Sequence, residues 1–563
     1  MRLFLPKNWH YIDKTFTLKD KMTAFLLVVI ILASLIFWML YGYTLLTKPV
    51  PKRGGSYTEG IVGQPLYINP LISQTNDADS GLAKLVYSGL LKYDREGKLT
   101  NDLAERHELS EDKKTYILYL KEGVLWHDGE PFSADDVIFT VNALKDSAYK
   151  SPLRENWRGV EVSKKDKLVV EFKLEFPYFG FLNNLTLGIL PRHIWENISP
   201  ENFFLASYNM EPIGTGPYEF FDYQKDSNGT VIAYSLESFD KYFEGEAYIS
   251  KFTFNFYPGE DALIAAYNKK EIDGMSVISP QKAMALDFEK STSVYEISTP
   301  YYFSVFLNQT KNVAIAYDEV RKAINHATDR EKIVSDILFG RGKSIQTPFT
   351  PDMKGFSQDK EIFPFDLEKA NAVLEESDWK KNEEGVRMKD DVKLEFELLT
   401  VDWPESVKIA EELAVQWKEI GANVSVVPLS VSDLRQNYIR PREYDALLYG
   451  QGSNLNDPDL YSFWHSGQGK DSGKNLALFK DEKADELLNE INQEMDNEKR
   501  VGKYGEFQDI INKENPAVFI YTSFYLYPVN SKIKGIEVKS LNNYQDRFSG
   551  ANHWYVKTKR IRK

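Results

Sequence analysis

Cysteine is absent from all 563 residues. Disulfides, thiolate metal sites, a cysteine nucleophile and a lipidated-cysteine anchor are thereby excluded. Positive charge is in deficit: 69 Lys+Arg stand against 83 Asp+Glu, a formal net charge of -14. That argues against a nucleic-acid binder, which needs a basic surface to meet phosphates. No stretch repeats with a period of 20–50 residues, and no low-complexity tract appears. Histidine is scarce, at seven. No two histidines stand two to four residues apart, so a local zinc motif is missing. Gly340-Arg-Gly-Lys-Ser344 imitates the end of a phosphate loop, but Ile337 occupies the place of its first glycine. Gly214-Thr-Gly-Pro217 lacks the third glycine of a dinucleotide fingerprint, and no G-x-S-x-G occurs. Neither a cofactor, a resident metal nor a catalytic residue is expected.

What the chain does have is one long uncharged run. Ala24 to Leu46 is 23 residues, about 34 Å of helix at roughly 1.5 Å per residue. That spans a hydrocarbon core of about 30 Å. Trp38, Tyr41 and Tyr43 fall toward its end, where an aromatic belt belongs. A cleaved signal peptide would have a shorter apolar region and a small-x-small site after it; here Tyr-Thr-Leu-Leu-Thr-Lys follows. The run reads as an uncleaved anchor. Arg2, Lys7, Lys14, Lys19 and Lys21 precede it and Lys48 follows. This predicts 1–23 in the cytoplasm, 24–46 as a transmembrane helix and an extracytoplasmic body. Pro49, Pro51 and Gly54-Gly55 suggest a linker at 47–53. At 557–563, KTKRIRK reads as a disordered, soluble basic tail, with wall or lipid contact as the alternative.

Strand and helix signals alternate through the body. KTYILYLKE (113–121) and DKLVVEFKLE (166–175) alternate apolar and polar residues, as half-buried strands do. Ser133 with Asp135 and Asp136 opens a helix. Asp318 opens another, expected to run through DEVRKAINHATDREKIVSDIL. Pro404 to Ile420 is a third, stopped by Gly421 and followed by the strand Asn423–Pro428. Asp481 to Asn512 reads as two helices, and 516–529 as an aromatic strand. This is α/β, and too long for one core. The motif Trp126-His-Asp-Gly-Glu-Pro131 reads as a turn that staples the fold. Gly214-Thr-Gly-Pro-Tyr218 reads as a tight turn in which glycine supplies backbone freedom. Arg330 after Asp329 reads as an ion pair.

Several stretches, in order, carry a resemblance. They are Gly54-Gly-Ser-Tyr57, Leu66-Tyr-Ile-Asn-Pro70, Tyr87-Ser-Gly-Leu-Leu-Lys-Tyr93, Asp102-Leu-Ala-Glu105 and the segment Tyr116 to Phe139. Then come Gly214 to Tyr218, Val320-Arg-Lys-Ala-Ile324 with Ala327-Thr-Asp-Arg330, and Tyr444 to Gly450 with Asp457-Pro-Asp459. Together they resemble the family 5 extracellular solute-binding proteins of oligopeptide, dipeptide and nickel ABC importers, over about 54–555. The resemblance implies a two-lobed, periplasmic-binding-protein-like (type II) α/β fold with an extra inserted subdomain, here preceded by one transmembrane helix. Lobe I would comprise 54–92, 208–301 and 522–556, the insert 93–207, and lobe II 302–521. The crossings would fall near Pro300–Phe303 and Tyr521–Ser523.

The resemblance also implies the site. Peptide-binding members lay an extended peptide against the wall after the Tyr-Asp strand, matched here by Gly450, Gln451, Gly452, Ser453, Asn454 and Asp457. Backbone pairing of this kind gives affinity independent of peptide sequence. Many relatives have a Trp after the first Gly and, further on, an Asp for the peptide ammonium. Gln451 and Asn454 stand at those places here. An Asn supplies no countercharge, so either Asp457 or Asp459 reaches the ammonium or the ligand lacks a free N-terminus. Tyr57, Tyr301, Tyr302, Tyr449 and Tyr521 are further cleft candidates. The implied partners are a peptide or other small solute, ABC permease subunits with their ATPase, and the membrane; nucleic acid is not one. A tethered sensor or scavenger on the same fold, and an extracellular hydrolase, are the alternatives.

Overall fold

A computed structural model describes residues 17–276, 278–285, 291–355, 363–455, 458–471 and 473–563. Helix α1 (Leu18–Leu46) opens with a capping box, Thr17 and Asp20 each bonding the other's backbone N–H. None of its 29 residues is buried. At about 44 Å the helix is long enough, and over Ala24–Leu46 apolar enough, to cross a membrane.

The strands that organise the body are β1 (Thr47–Lys52), β2 (Ser56–Val62), β3 (Tyr218–Lys225), β4 (Val231–Ser238), β5 (Lys251–Tyr257), β6 (Gly274–Met275), β7 (Thr292–Ser298), β8 (Tyr301–Leu307), β9 (Glu395–Val401), β10 (Asn423–Leu429), β11 (Ala446–Gly452), β12 (Ala517–Asn530) and β13 (Lys557–Arg562). One hydrogen-bonded path runs β10-β9-β11-β8-β12-β6-β2-β5-β4-β3. Its centre is β12, 14 residues long and buried along nearly its whole length. The first half of β12 pairs with β8 and the second half with β7. Only Thr299 and Pro300 separate β7 from β8. Two adjacent chain segments thus cross together from one half of the molecule to the other. Alternation explains the local strands: Phe252, Phe254 and Phe256 on β5 all turn inward while the intervening residues stay half-exposed.

Residues 93–207 build a four-stranded antiparallel sheet of their own, from Ala104–Leu109, Thr115–Leu120, Val169–Leu174 and Val160–Asp166. They do not build a core of their own. Trp126, Phe172 and Trp195 belong to the same buried cluster as Tyr57, Phe252 and Trp554. In the other half, Ile324 and Trp417 lie in one cluster and Trp464 and Tyr504 in another.

Three expectations are corrected. The helix from Asp318 is broken: α-helix ends at His326, and a short turn begins at Arg330. Asp329 caps that turn through the Lys332 N–H at 2.9 Å. Arg330, expected to pair with Asp329, is buried and donates to the carbonyls of Phe519 (2.6 Å), Asn325 (3.2 Å) and Thr328 (3.3 Å). A guanidinium with five donors can tie a helix end to β12 in this way. Second, Gly214 and Gly216 are needed for close approach and not for backbone freedom. A Cβ on Gly214 would stand 2.7 Å from the Val86 carbonyl carbon, and one on Gly216 2.6 Å. Third, 47–53 and 557–563 are not a loose linker and a disordered tail. β1 and β13 form a six-residue antiparallel ribbon, from Thr47↔Arg562 to Lys52↔Lys557. Backbone pairing holds these polar strands, which the apolar pattern had no means to signal.

The Trp126–Pro131 turn and the 214–217 turn staple each other. The His127 N–H donates to Gly214 O at 2.9 Å. Its ring Nδ1 accepts from the Gly214 N–H at 3.1 Å, and Nε2 meets Gly216 O at 3.1 Å. Only the neutral tautomer with hydrogen on Nε2 satisfies both ring contacts. Burial pushes the imidazole down to about 4. The unfolded chain takes up this proton near pH 6.5 and the folded chain only near 4. The staple therefore stabilises fully above pH 6.5 and loses its contribution as pH falls toward 4. Acid unfolding of the native chain should steepen across that window, and His127→Gln should flatten it. Equal slopes in the two proteins would refute the assignment.

Candidate functional site

The wall expected to hold a ligand lies where the two halves meet. β11 runs antiparallel to β8 with Gly452 opposite Tyr301, Gln451 opposite Tyr302 and Gly450 opposite Phe303. The alternation of a strand splits these residues between two faces. Tyr302 and Gln451 turn inward: the Tyr302 hydroxyl donates to Gln451 Oε1 at 2.9 Å, and Gln451 Nε2 donates to Lys474 O at 2.7 Å. Both are buried. Tyr301 and Phe303 lie over the glycines on the other face. A side chain at Gly450 would meet the Phe303 ring at 2.8 Å, and one at Gly452 would strike the Tyr301 ring. The two glycines therefore give the rings a flat floor.

On β11's far side, β9 pairs with Ala446–Leu448. Among the described residues the ladder stops there. The outer edge of Tyr449–Gly452 keeps its backbone N–H and C=O groups unpaired by strand. An edge of this kind accepts an added strand.

An aromatic row extends across the junction. Phe303 stacks on Tyr521 with centroids 4.6 Å apart and planes 4° apart. Tyr301 packs on Tyr544 at 5.4 Å, and Tyr544 on Tyr525 at 5.3 Å. Burial pushes the Tyr301, Tyr525 and Tyr544 hydroxyls up, and the charge of Asp77 adds to this. Asp77 lies in the first turn of helix α2 (Asp77–Val86). The Arg547 guanidinium opposes its charge at Tyr525, 6.0 Å from the ring centre.

Asn454 reaches across to the insert, donating from Nδ2 to the Tyr93 hydroxyl at 2.7 Å. Tyr93 in turn donates to Asn183 Oδ1 at 2.8 Å. Leu455 N–H donates to Asn542 Oδ1 at 3.0 Å. Tyr93 and Asn183 line a cavity of about 680 Å³ between the insert and the first lobe. Lys92 stands in that lining with Asp102 at 3.3 Å and Glu244 at 2.5 Å. Burial disfavours the ammonium, but the two carboxylates outweigh it and hold its pKa up. Burial raises Asp102 against the pull of Lys92. Glu244, also opposed by burial, is held low by Lys92.

The predicted residues thus divide. Tyr301, Gly450, Gly452, Ser453 and Asn454 gather at the junction, while the Tyr449 side chain lies on the Gln451 face and packs on the Tyr302 cluster; Ser453 N–H donates to Pro300 O at 3.3 Å. Tyr302 and Gln451 stand behind it; Tyr521 shares the Phe303 face but is buried, its hydroxyl donating to Glu405 at 3.3 Å. Tyr57 is corrected: it is a core residue, 0 % exposed, packed on Phe252 and Trp554. Strand alternation alone does not say which face of β2 looks at a cleft. Asp457 lies outside the described residues. Asp459 caps the helix Leu460–Trp464 by accepting from Ser462 N–H at 3.1 Å. Sequence reasoning missed Tyr544, which carries no local motif, and did not assign Tyr93 to the site although it ends the Tyr87–Tyr93 stretch. It also missed the buried group behind the row. Arg547 donates from Nε to Glu59 Oε1 at 3.1 Å, and Tyr57 and Tyr527 donate to Glu59 Oε2. Among the described residues no group of three His, Asp or Glu gathers as metal ligands.

Two lobes joined by paired crossing strands, with an open strand edge at their junction, define a solute-binding protein of the periplasmic-binding type. The chain belongs to the bacterial extracellular solute-binding proteins, family 5, whose model matches residues 98–473. It is 30% identical over 492 residues to the oligopeptide-binding protein AppA of Bacillus subtilis, covering 85% of this chain and 87% of that one. Its structure resembles that of the ABC transporter substrate-binding protein CtaP of Listeria monocytogenes (TM-score 0.78, 26% identity, 90% of this chain and 100% of that one). It also resembles NikZ from Campylobacter jejuni, solved with Ni(L-His) (TM-score 0.74, 27% identity, 89% and 99%).

Proposed function

We propose that this chain is the membrane-anchored, extracytoplasmic binding component of an ABC importer, and that it takes an oligopeptide as an added strand along Tyr449–Gly452. The unpaired outer edge of β11 is the observation that carries this reading: a peptide backbone matches its N–H and C=O groups whatever its sequence. The Asp77 carboxylate beside the tyrosine row could meet a ligand cation at a junction where Asn454 brings no charge. Tyr301, Gly450, Gly452, Ser453 and Asn454 would face the ligand, Tyr449 contributing through its backbone edge, with Tyr93 and Tyr544 beside them.

The moving parts would be lobe II, 302–521, against lobe I, 54–92, 208–301 and 522–556, with the insert 93–207 riding on lobe I. Asn454–Tyr93 and Tyr301–Tyr544 are contacts that a ligand must favour or replace for closure to follow binding. The chain would bind without turnover and hand its ligand to a permease. α1 would keep it at the membrane with residues 1–23 inside, since five cations precede the apolar run and Lys48, Lys52 and Arg53 follow it.

The test is native mass spectrometry of the purified full chain, followed by thermal unfolding with a peptide library. Co-purified peptide and a rise in melting temperature are expected. No shift with peptides, nickel–histidine or sugars would sink the reading. Shortening of the bound peptide would favour the hydrolase. A permease ATPase left unstimulated by the loaded chain would favour a sensor or scavenger.

A further inference from the structure

The charge of this chain is segregated in space, and the segregation points to a second partner. Residues 47–53 and 557–563 hold Lys48, Lys52, Arg53, Lys557, Lys559, Arg560, Arg562 and Lys563, and no acid. The body between them, 54–556, holds 56 Lys+Arg against 81 Asp+Glu, a net charge of -25. All eight cations are exposed. The β1–β13 ribbon brings them onto one narrow stalk, about 20 Å long at roughly 3.4 Å per residue.

The ribbon is continuous with α1: Thr47 follows Leu46 directly. The last turn of α1 has no basic residue to meet its free carbonyls. β13 supplies what is missing. Arg560 Nη2 donates to Thr44 O at 3.2 Å and Thr47 O at 3.0 Å, and its Nε donates to the Thr47 hydroxyl at 2.8 Å. Its guanidinium lies 5.5 Å from the centre of the Tyr43 ring. Lys563 N–H donates to Leu46 O at 2.9 Å. The membrane-proximal end of the stalk is thereby fixed as Lys48, Arg560, Arg562 and Lys563. Lys52 and Lys557 form the distal end, where Arg53 pairs with Glu246 of the body.

We propose that this ribbon is a binding site for anionic phospholipid headgroups of the membrane that α1 crosses. The proposal rests on the anchor reading above. Lipid phosphates are the occupant the geometry favours, because the cations begin at the residue where the helix leaves the hydrocarbon. Attraction of Lys or Arg to an anionic surface fades within a Debye length, about 8 Å at physiological salt, so only a basic group placed this close is useful. A body of net charge -25 is repelled by the same surface. The stalk would collect anionic lipid around its foot and stand the body away from the bilayer.

The test uses the full chain in nanodiscs of neutral phosphatidylcholine, with and without phosphatidylglycerol, read by amide hydrogen exchange at 47–53 and 557–563. Exchange is expected to slow by about tenfold with the anionic lipid, the effect of one to two Lys or Arg near the surface, and the slowing should vanish at high salt. In a variant with Lys557→Gln, Lys559→Gln, Arg562→Gln and Lys563→Gln, Arg560 still holds the helix end. Its exchange in neutral discs should match the native chain, and the lipid effect should be weakened, since only Lys48, Lys52, Arg53 and Arg560 of the eight cations remain. Equal exchange of the native chain in both lipids would overturn the proposal while leaving the anchor intact. Slowing by a soluble glycerol-phosphate polymer but not by phosphatidylglycerol would assign the stalk to a wall polymer instead. Release of the chain from membranes by alkaline carbonate would overturn the anchor, and the stalk's lipid role with it.

Discussion

Replacing Arg547 with methionine is expected to destabilise the chain by about 3–5 kcal/mol at neutral pH, the usual cost of breaking a buried ion pair from one side. Arg547 and Glu59 are 1 % and 0 % exposed. Their pairing is reinforced by the Tyr57 and Tyr527 hydroxyls, which donate to the same carboxylate. Methionine fills most of the volume but leaves Glu59 ionised in the core. Burial already pushes the Glu59 carboxyl up, with Arg547 pulling it back. Without Arg547 the folded-state value rises further above that of the unfolded chain. The variant should therefore bind its proton more readily when folded, and its stability should recover as pH falls toward the unfolded carboxylate range near 4. Glu59→Gln added to Arg547→Met should restore most of the loss, because a neutral amide can still accept from both tyrosines. Chemical unfolding of the three proteins at two pH values decides this. A single variant as stable as the native chain would show that Arg547 is not what holds Glu59. The group also matters for the site: Arg547 donates to Tyr544 O at 3.0 Å, so it fixes the lobe I end of the tyrosine row.

Asn454→Asp is expected to tighten binding of free-amine peptides by about 10- to 100-fold, the worth of roughly 1.5–3 kcal/mol for a hydrogen bond to a charged group. The same change removes the amide N–H that Asn454 gives to Tyr93. Tyr93 has its own hydrogen to offer, so an aspartate can accept where the asparagine donated, at the expense of the bond to Asn183. N-acetylated peptides, which carry no ammonium, should gain nothing. Isothermal titration with matched free and acetylated peptides reads both effects. Equal affinities for native and variant chains would place the ammonium elsewhere, and Asp77→Asn would then be the informative substitution.

Much of the architecture was legible along the chain. The uncharged run Ala24 to Leu46, the Ser133 cap, the Gly421 stop and the aromatic strand 516–529 each follow from local chemistry: hydrophobic length, side-chain capping and backbone preference. The ordered motifs located the family for the same reason, since Trp126–Pro131 and Gly214–Tyr218 are turns with strict backbone demands. What those turns do to each other was not legible. His127 lies 87 residues from Gly214, and only folding places its ring between two glycine backbones.

The site divides along the same line. Adjacent residues on β11 were identified as a group because one strand carries them. Which of them share a face was decided by pairing with β8, because a one-residue change of register exchanges the faces of a strand. Tyr57 was misplaced for that reason, Tyr93 was named only as part of a motif, and Tyr544 and Arg547 were not named at all. The missing cysteine excluded, from sequence alone, a lipidated-cysteine anchor, and the acidic balance argued against a nucleic-acid partner. Sequence did not tell that the two basic segments at either side of the acidic body are one object. Charges 510 residues apart along the chain become neighbours only through backbone hydrogen bonds between β1 and β13, and backbone pairing leaves no mark in side-chain pattern.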